Sequence, residues 1–149
     1  MNEEILERLD RENLSLSTIN RRGWAFFIDE MIVSFLIMII YWERFSSVST
    51  PQEMILTMNS MVVYVIILKI IYQTFFVWYY GATVGKLLLK IKVVDRELFE
   101  NPTLLNSFIR AVVRIISEMF FYLGFVWAVL NPLRETWHDK AAKTLVINV

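Results

Sequence analysis

Polar residues almost disappear from two long stretches of the chain. The first, RRGWAFFIDEMIVSFLIMIIYW from Arg21 to Trp42, opens on two arginines and then runs apolar, broken chiefly by Asp29, Glu30 and Ser34. Its core from Trp24 to Trp42 is close to the roughly 20 residues a helix needs to cross about 30 Å of hydrocarbon. Trp24, Tyr41 and Trp42 suit the interfacial belts at its two ends. The second stretch begins at Thr50-Pro51-Gln52-Glu53: a capping threonine, a proline at the first helical position and a glutamate placed for a capping box. The helix predicted from there runs to Gly81, spans from Met58 to Tyr80, and carries Lys69 near its middle.

The remaining pattern is weaker. Asn2, Glu3 and Glu4 start a helix over residues 3–13 with Ile5, Leu6 and Leu9 on one side, expected in water or on the membrane surface as a solvated lead-in. Lys90, Ile91, Lys92 and Val93 alternate as a strand edge does, and the closing TLVINV offers a second strand. If the two pair, the 81–107 loop and the tail share one side of the membrane. A third helix is predicted from the Asn101-Pro102 cap to Asn131, stopped by Pro132. Arg110, Arg114 and Glu118, at steps of four, fall on one face of its first half, and MFFYLGFVWAVL makes its second half apolar. The chain shows no internal repeat.

Composition strengthens the membrane reading: 56% of the 149 residues are hydrophobic and 15% aromatic, above the roughly 45–50% apolar of soluble domains. Fifteen basic residues balance fifteen acidic ones, so nothing points to nucleic acid. Without cysteine there is no disulfide, thiolate nucleophile or cysteine metal site. No cofactor, metal cluster or nucleophile-and-base constellation is seen, and no enzymatic activity is expected. The polar N-terminus lacks the form of a cleavable signal peptide. Arg8, Arg11, Arg21 and Arg22 precede the first span, Arg44 follows it, and Lys86, Lys90, Lys92 and Arg96 follow the second. The positive-inside rule then sets the N-terminus and the 81–107 loop in the cytoplasm. The basic tail (Arg134, Lys140, Lys143) belongs on that side too, which a third crossing would forbid. Either the third helix dips into the membrane without crossing, or it crosses and the tail is simply basic.

Buried charge supplies the candidate chemistry. Asp29 and Glu30 lie about 8 Å along the axis from Trp24, too deep for short acids to reach water. Each charge at helix centre costs roughly 2.5–3.5 kcal/mol on insertion scales, so Asp29, Glu30, Lys69, Arg110, Arg114 and Glu118 must satisfy one another. Asp29 and Glu30 point about 100° apart, so at most one can face the bundle centre squarely while the other looks to a neighbour or a crevice. The expectation is Asp29 facing inward with Lys69 or Arg114 as partner, and Arg22, seven residues earlier, as its electrostatic neighbour at the cytoplasmic end. Such a seam is the minimum equipment for moving protons or cations, and equally serves as static glue between helices. GATVGK, Gly81 to Lys86, is one residue short of a phosphate loop and followed by Leu87, so it is rejected as one. Gly81 and Gly85 lie past the span, which argues against a helix-dimer motif. His138, the only histidine, reads as a hydrogen-bonded tail residue.

RRGWAFFIDEMI, GATVGKLLLKIKVVD, FIRAVVRII and WHDKAAKTLVI, in that order, resemble the RDD family of small bacterial membrane proteins, over residues 20–149. The resemblance implies that Arg22 is the family's arginine, Asp29 its first aspartate, and Asp139 its second, with Asp95 the alternative. It departs from the family after the VVD block, where RELFENP replaces a glycine-containing turn. If Asp139 joins Arg22, the tail returns to the cytoplasmic end. The resemblance also implies a membrane transport role such as cation/proton exchange. The expectation is therefore an all-α integral protein of the bacterial inner membrane, with two to three transmembrane helices, an amphipathic segment over 1–19, a membrane domain over 20–149 and a small cytoplasmic strand pair. Its expected partners are the lipid bilayer, protons with Na⁺, Li⁺ or K⁺, and further copies of itself, since three helices are few for a pathway. A non-transporting module that binds or assembles a partner protein is the alternative.

Overall fold

The computed structural model describes residues 2–120 and 122–149. Helices α1 (Asn2–Arg11), α2 (Ile19–Ile40), α3 (Trp42–Ser46), α4 (Pro51–Tyr80) and α5 (Val84–Leu88) lead to strand β1 (Ile91–Asp95); α6 (Leu104–Met119), α7 (Leu123–Leu130) and α8 (Trp137–Ala141) lead to β2 (Thr144–Asn148). Among the described residues, α2 and α4 are each long and apolar enough to cross a membrane, and α6 with α7 would qualify only as a bent pair. Helices and a small sheet built around such spans make this a helical membrane protein.

The ends of the two spans obey their caps. Thr18 opens α2 by accepting from the Arg21 N–H, and Thr50 opens α4 by accepting from the Glu53 N–H at 3.3 Å, with Pro51 in the first turn. The Glu53 carboxylate reaches back to the Ser49 N–H at 2.9 Å, one residue before the cap the capping-box pattern names. Gly81 closes α4 in the left-handed region at φ 71°, where a side chain would also collide with Lys92 and Asn101.

β1 and β2 pair antiparallel from Ile91 opposite Asn148 to Asp95 opposite Thr144, as the alternating residues predict. Leu16 bridges to Ile147, and the Val93 N–H donates to the Gly81 carbonyl. The start of α2, the end of α4 and the tail therefore meet at one polar end. α1 is no solvated lead-in: Ile5 and Leu9 are buried with Val94, Leu133, Leu145 and Ile147, because two apolar residues one turn apart find the sheet before they find lipid.

The third helix departs most from expectation. Its cap is Thr103, which accepts from the Asn106 N–H, and Asn101 instead donates to the Tyr79 carbonyl. α6 does not continue to Asn131: it stops at Met119, and α7 leaves it at 103°. Gly124 permits the fold-back, since a Cβ there would press on Ser117 and meet Trp137 Cβ at 3.1 Å. At 1.5 Å per residue α6 reaches in about 24 Å and α7 runs only about 12 Å. The tail after α7 returns to β1 and to Arg22 at the polar end. The straight third helix predicted to Asn131 is therefore a bent pair, with the form of a broken span or a re-entrant turn.

Candidate functional site

The buried charges gather into three clusters stacked from the polar end inward. Asp139, fully buried in α8, occupies the first. Thr136 caps α8 and forms a capping box with it: the Asp139 N–H donates to the Thr136 hydroxyl, while the Thr136 N–H and hydroxyl donate to the carboxylate at 3.0 and 2.8 Å. Arg22 of α2 and Arg110 of α6 close ion pairs on its two oxygens, Arg22 also donating to the Arg134 carbonyl and Arg110 to the Thr144 hydroxyl at 2.7 Å. One carboxylate thus ties α2, α6 and α8 together, and Arg110 extends the tie to β2. Burial alone would raise its pKa, but Arg110 and Arg22 outweigh burial and hold the carboxyl well below its ordinary range.

Asp29 anchors the second cluster, two helical turns deeper on α2, with 1% of its surface exposed. Its Oδ1 accepts from the Tyr72 hydroxyl at 2.8 Å and the Gly85 N–H at 2.9 Å, and its Oδ2 from the Thr83 hydroxyl at 2.6 Å. Tyr72 itself accepts from the Val84 N–H at 3.2 Å. Gly85 lets α5 come this close: a Cβ there would stand 2.9 Å from Asp29 Oδ1 and nearer still to the Ala25 carbonyl. The GATVGK block therefore wraps a carboxylate instead of a phosphate. This overturns the pairing expected of Asp29: hydroxyls and a backbone amide hold it, not Lys69 or Arg114, and Arg22 gives its charge to Asp139. The cause is the α5 turn, whose donors reach the carboxylate first.

The third cluster lies deepest, eleven residues or about 16 Å from the end of α4. Lys69 bonds Glu30 at 2.8 Å and Glu118 at 2.7 Å, and Arg114 bonds Glu30 at 3.2 Å and Glu118 at 3.0 Å. Two acids and two bases alternate in a closed ring joining α2, α4 and α6, and the Arg114 guanidinium lies 4.7 Å over the Phe26 ring. Glu30 takes the partners expected of Asp29, because the 100° between neighbouring side chains turns it toward α6. All eight candidate residues sit in this three-layer seam.

Space around the seam is uneven. The gap bounded by Asp29, Tyr72, Arg114 and the ring leaves no room for a water molecule. Beyond the ring α2 and α4 splay, leaving two apolar crevices of ≈ 420 Å³ each, one reaching Lys69 and Glu118, the other Lys69 and Glu30. His138 is not a hydrogen-bonded tail residue: it is buried against the Phe125 ring at 5.1 Å, and its Nδ1 has no partner among the described residues. Burial chiefly lowers its pKa well below the ordinary value, with Arg110, Arg22 and Arg114 adding to the effect and Asp139 opposing it. Among the described residues no set of His, Asp and Glu is arranged to hold a metal ion.

Tyr72, Thr83, Gly85 and Lys86 escaped the sequence reading. Tyr72 was within reach, because it lies three residues after Lys69 on the same helix face. Thr83 and Lys86 carried no signal beyond standing in a glycine-bounded block judged only as a phosphate loop. Lys86, counted there as a loop cation, is 7% exposed.

The RDD family profile matches residues 16–143, most of the chain. An uncharacterized protein of Rickettsia prowazekii (strain Madrid E), RP437, is 31% identical over 71 residues, which are 47% of this chain and 39% of that protein. The chain thus matches about two fifths of the length of that relative. No solved structure matches.

Proposed function

From the premise that this chain belongs to the RDD family, we propose that it is a non-enzymatic, non-transporting module of the cell's inner membrane that binds or assembles a partner protein, its polar end in the cytoplasm. One observation carries the reading: each acid of the seam is held by two or more donors, and the layer between Asp29 and the ring excludes water. Ion movement needs a hydrated path or a site that opens by turns, whereas a lock needs full pairing. The apolar crevices beyond the ring support the reading further, since they offer neighbouring transmembrane helices, from another protein or further copies, a surface with a polar floor. A single orientation follows from Arg8, Arg11, Arg21 and Arg22 at one end of α2 against Arg44 at the other.

A second reading, exchange of Na⁺, Li⁺ or K⁺ for protons, draws support from the same crevices, because they run from the far half of the bundle down to Lys69 and Glu30. Their apolar walls favour lipid tails over hydrated ions. Purified protein in proteoliposomes, loaded with a trapped pH dye and given cation gradients, separates the two. A module leaves proton movement at the level of protein-free vesicles; cation-driven proton movement that disappears in a folded Asp29→Asn variant overturns it.

A further inference from the structure

Arg22, Lys69, Arg110 and Arg114 each hold a carboxylate partner. Lys86 does not: its buried amine makes one hydrogen bond among the described residues, donating to the Thr83 hydroxyl at 3.3 Å. That hydroxyl passes its own hydrogen to Asp29 Oδ2 at 2.6 Å, so donors point in one direction from the amine to the carboxylate. We propose that Lys86, Thr83 and Asp29 form a proton-binding site at the base of the membrane domain, in which the Lys86 amine takes up and releases one proton and Asp29 balances the charge.

The step needs no co-reactant. A proton from water at the polar end bonds to the amine lone pair to give the ammonium, and release reverses it. No hydrogen bond is broken, because the neutral amine still donates to Thr83. Facing Lys86 are Asp29 and Arg22 from α2, Tyr72 with its hydroxyl on Asp29 from α4, and Arg110 and Arg114 from α6. Burial disfavours the ammonium most, Asp29 favours it, and the three arginines oppose it, which brings the lysine down to about 7. Geometry adds what charge alone does not: Asp29 already spends both oxygens on Tyr72, Gly85 and Thr83, so it compensates Lys86 through a hydroxyl instead of clamping it permanently charged. Proton uptake would tighten α5 on α2 whether or not any ion crosses the membrane.

Nuclear magnetic resonance of the full chain in nanodiscs, with lysine labelled at Cε and Nζ, tests this. Lys86 is assigned by elimination from Lys→Arg variants at the other five lysines. The expected result is a single inflection of the Lys86 signals near pH 7 in the native protein. In Asp29→Asn the midpoint moves to lower pH; should that variant not fold, Thr83→Val gives the same shift, since it removes the acceptor of the ammonium. A Lys86 signal that stays in one form from about pH 5 to about pH 9, in the range where surface lysines do not titrate, overturns the proposal. So does a midpoint that neither variant moves.

Discussion

Asp29 and Glu30 are neighbours in the chain, yet their carboxylates bind different parts of the fold. Asp29 holds the α5 turn to α2 through Thr83 and Gly85, while Glu30 joins α2 to α4 and α6 through Lys69 and Arg114. Two acids in an apolar span thus fasten a transmembrane helix on two faces at once, and Tyr72 of α4 shares the first of those faces.

The first face rests on close approach, which makes Gly85 the position to test. Gly85→Ala should destabilise by about 1–3 kcal/mol, the usual range for overpacking a tight contact, and lift α5 off the Ala25 carbonyl. Lys86 then loses its protection. Limited trypsin digestion in detergent should cut after Lys86 much faster in the variant, while cleavage after exposed Lys90 stays unchanged.

The bend between α6 and α7, with the tail paired to β1, predicts membrane sidedness. The chain has no cysteine, so single substitutions at exposed Glu97, Lys140 and Ser47 report cleanly. A membrane-impermeant maleimide should reach positions 97 and 140 from one side and position 47 from the other. Labelling of 97 and 140 from opposite sides would mean that α6–α7 crosses.

His138 and Asp139 should each make stability fall on the acid side. His138 is held neutral by burial, so below its ordinary value of 6.5 the unfolded chain binds a proton that the folded protein refuses, and stability drops as pH falls. Asp139 is the opposite case in charge but not in direction. Its carboxylate is stabilised by Arg110 and Arg22, and that contribution is lost only below the unfolded value of 3.8. As pH falls below 6.5, the unfolding free energy of the native protein should drop more steeply than that of His138→Leu.

The sequence made much of this fold legible, and the reasons are physical. Long apolar runs, the Thr50-Pro51 start and the Gly81 stop state α4 almost by themselves, and the alternation after Lys90 finds β1. Arg110, Arg114 and Glu118 at steps of four name the charged face of α6, while the Arg22 and Asp139 pair comes from the family resemblance, which implies in turn that the tail returns to the polar end. Pattern fails where the outcome depends on backbone approach. Nothing periodic says that Gly85 brings three donors to Asp29, so Lys69 and Arg114, the nearest charges, looked like its partners. Nor does apolar continuity reveal a break: MFFYLGFVWAVL suits a straight span as well as a hairpin, and Gly124 against Ser117 decides between them only once α6 is in place.

The proposed function turns on the ring being a lock between helices, and a double-mutant cycle on Glu30 and Lys69 measures that directly. Lys69→Met alone should cost about 3–5 kcal/mol, because it leaves two acids facing one base. Unfolding free energies of the native protein, Glu30→Gln, Lys69→Met and the double variant should give a coupling of about 0.5–3 kcal/mol in favour of the native pair. Additivity of the two single changes to within about 0.3 kcal/mol would contradict the lock and return the seam to a role in moving charge.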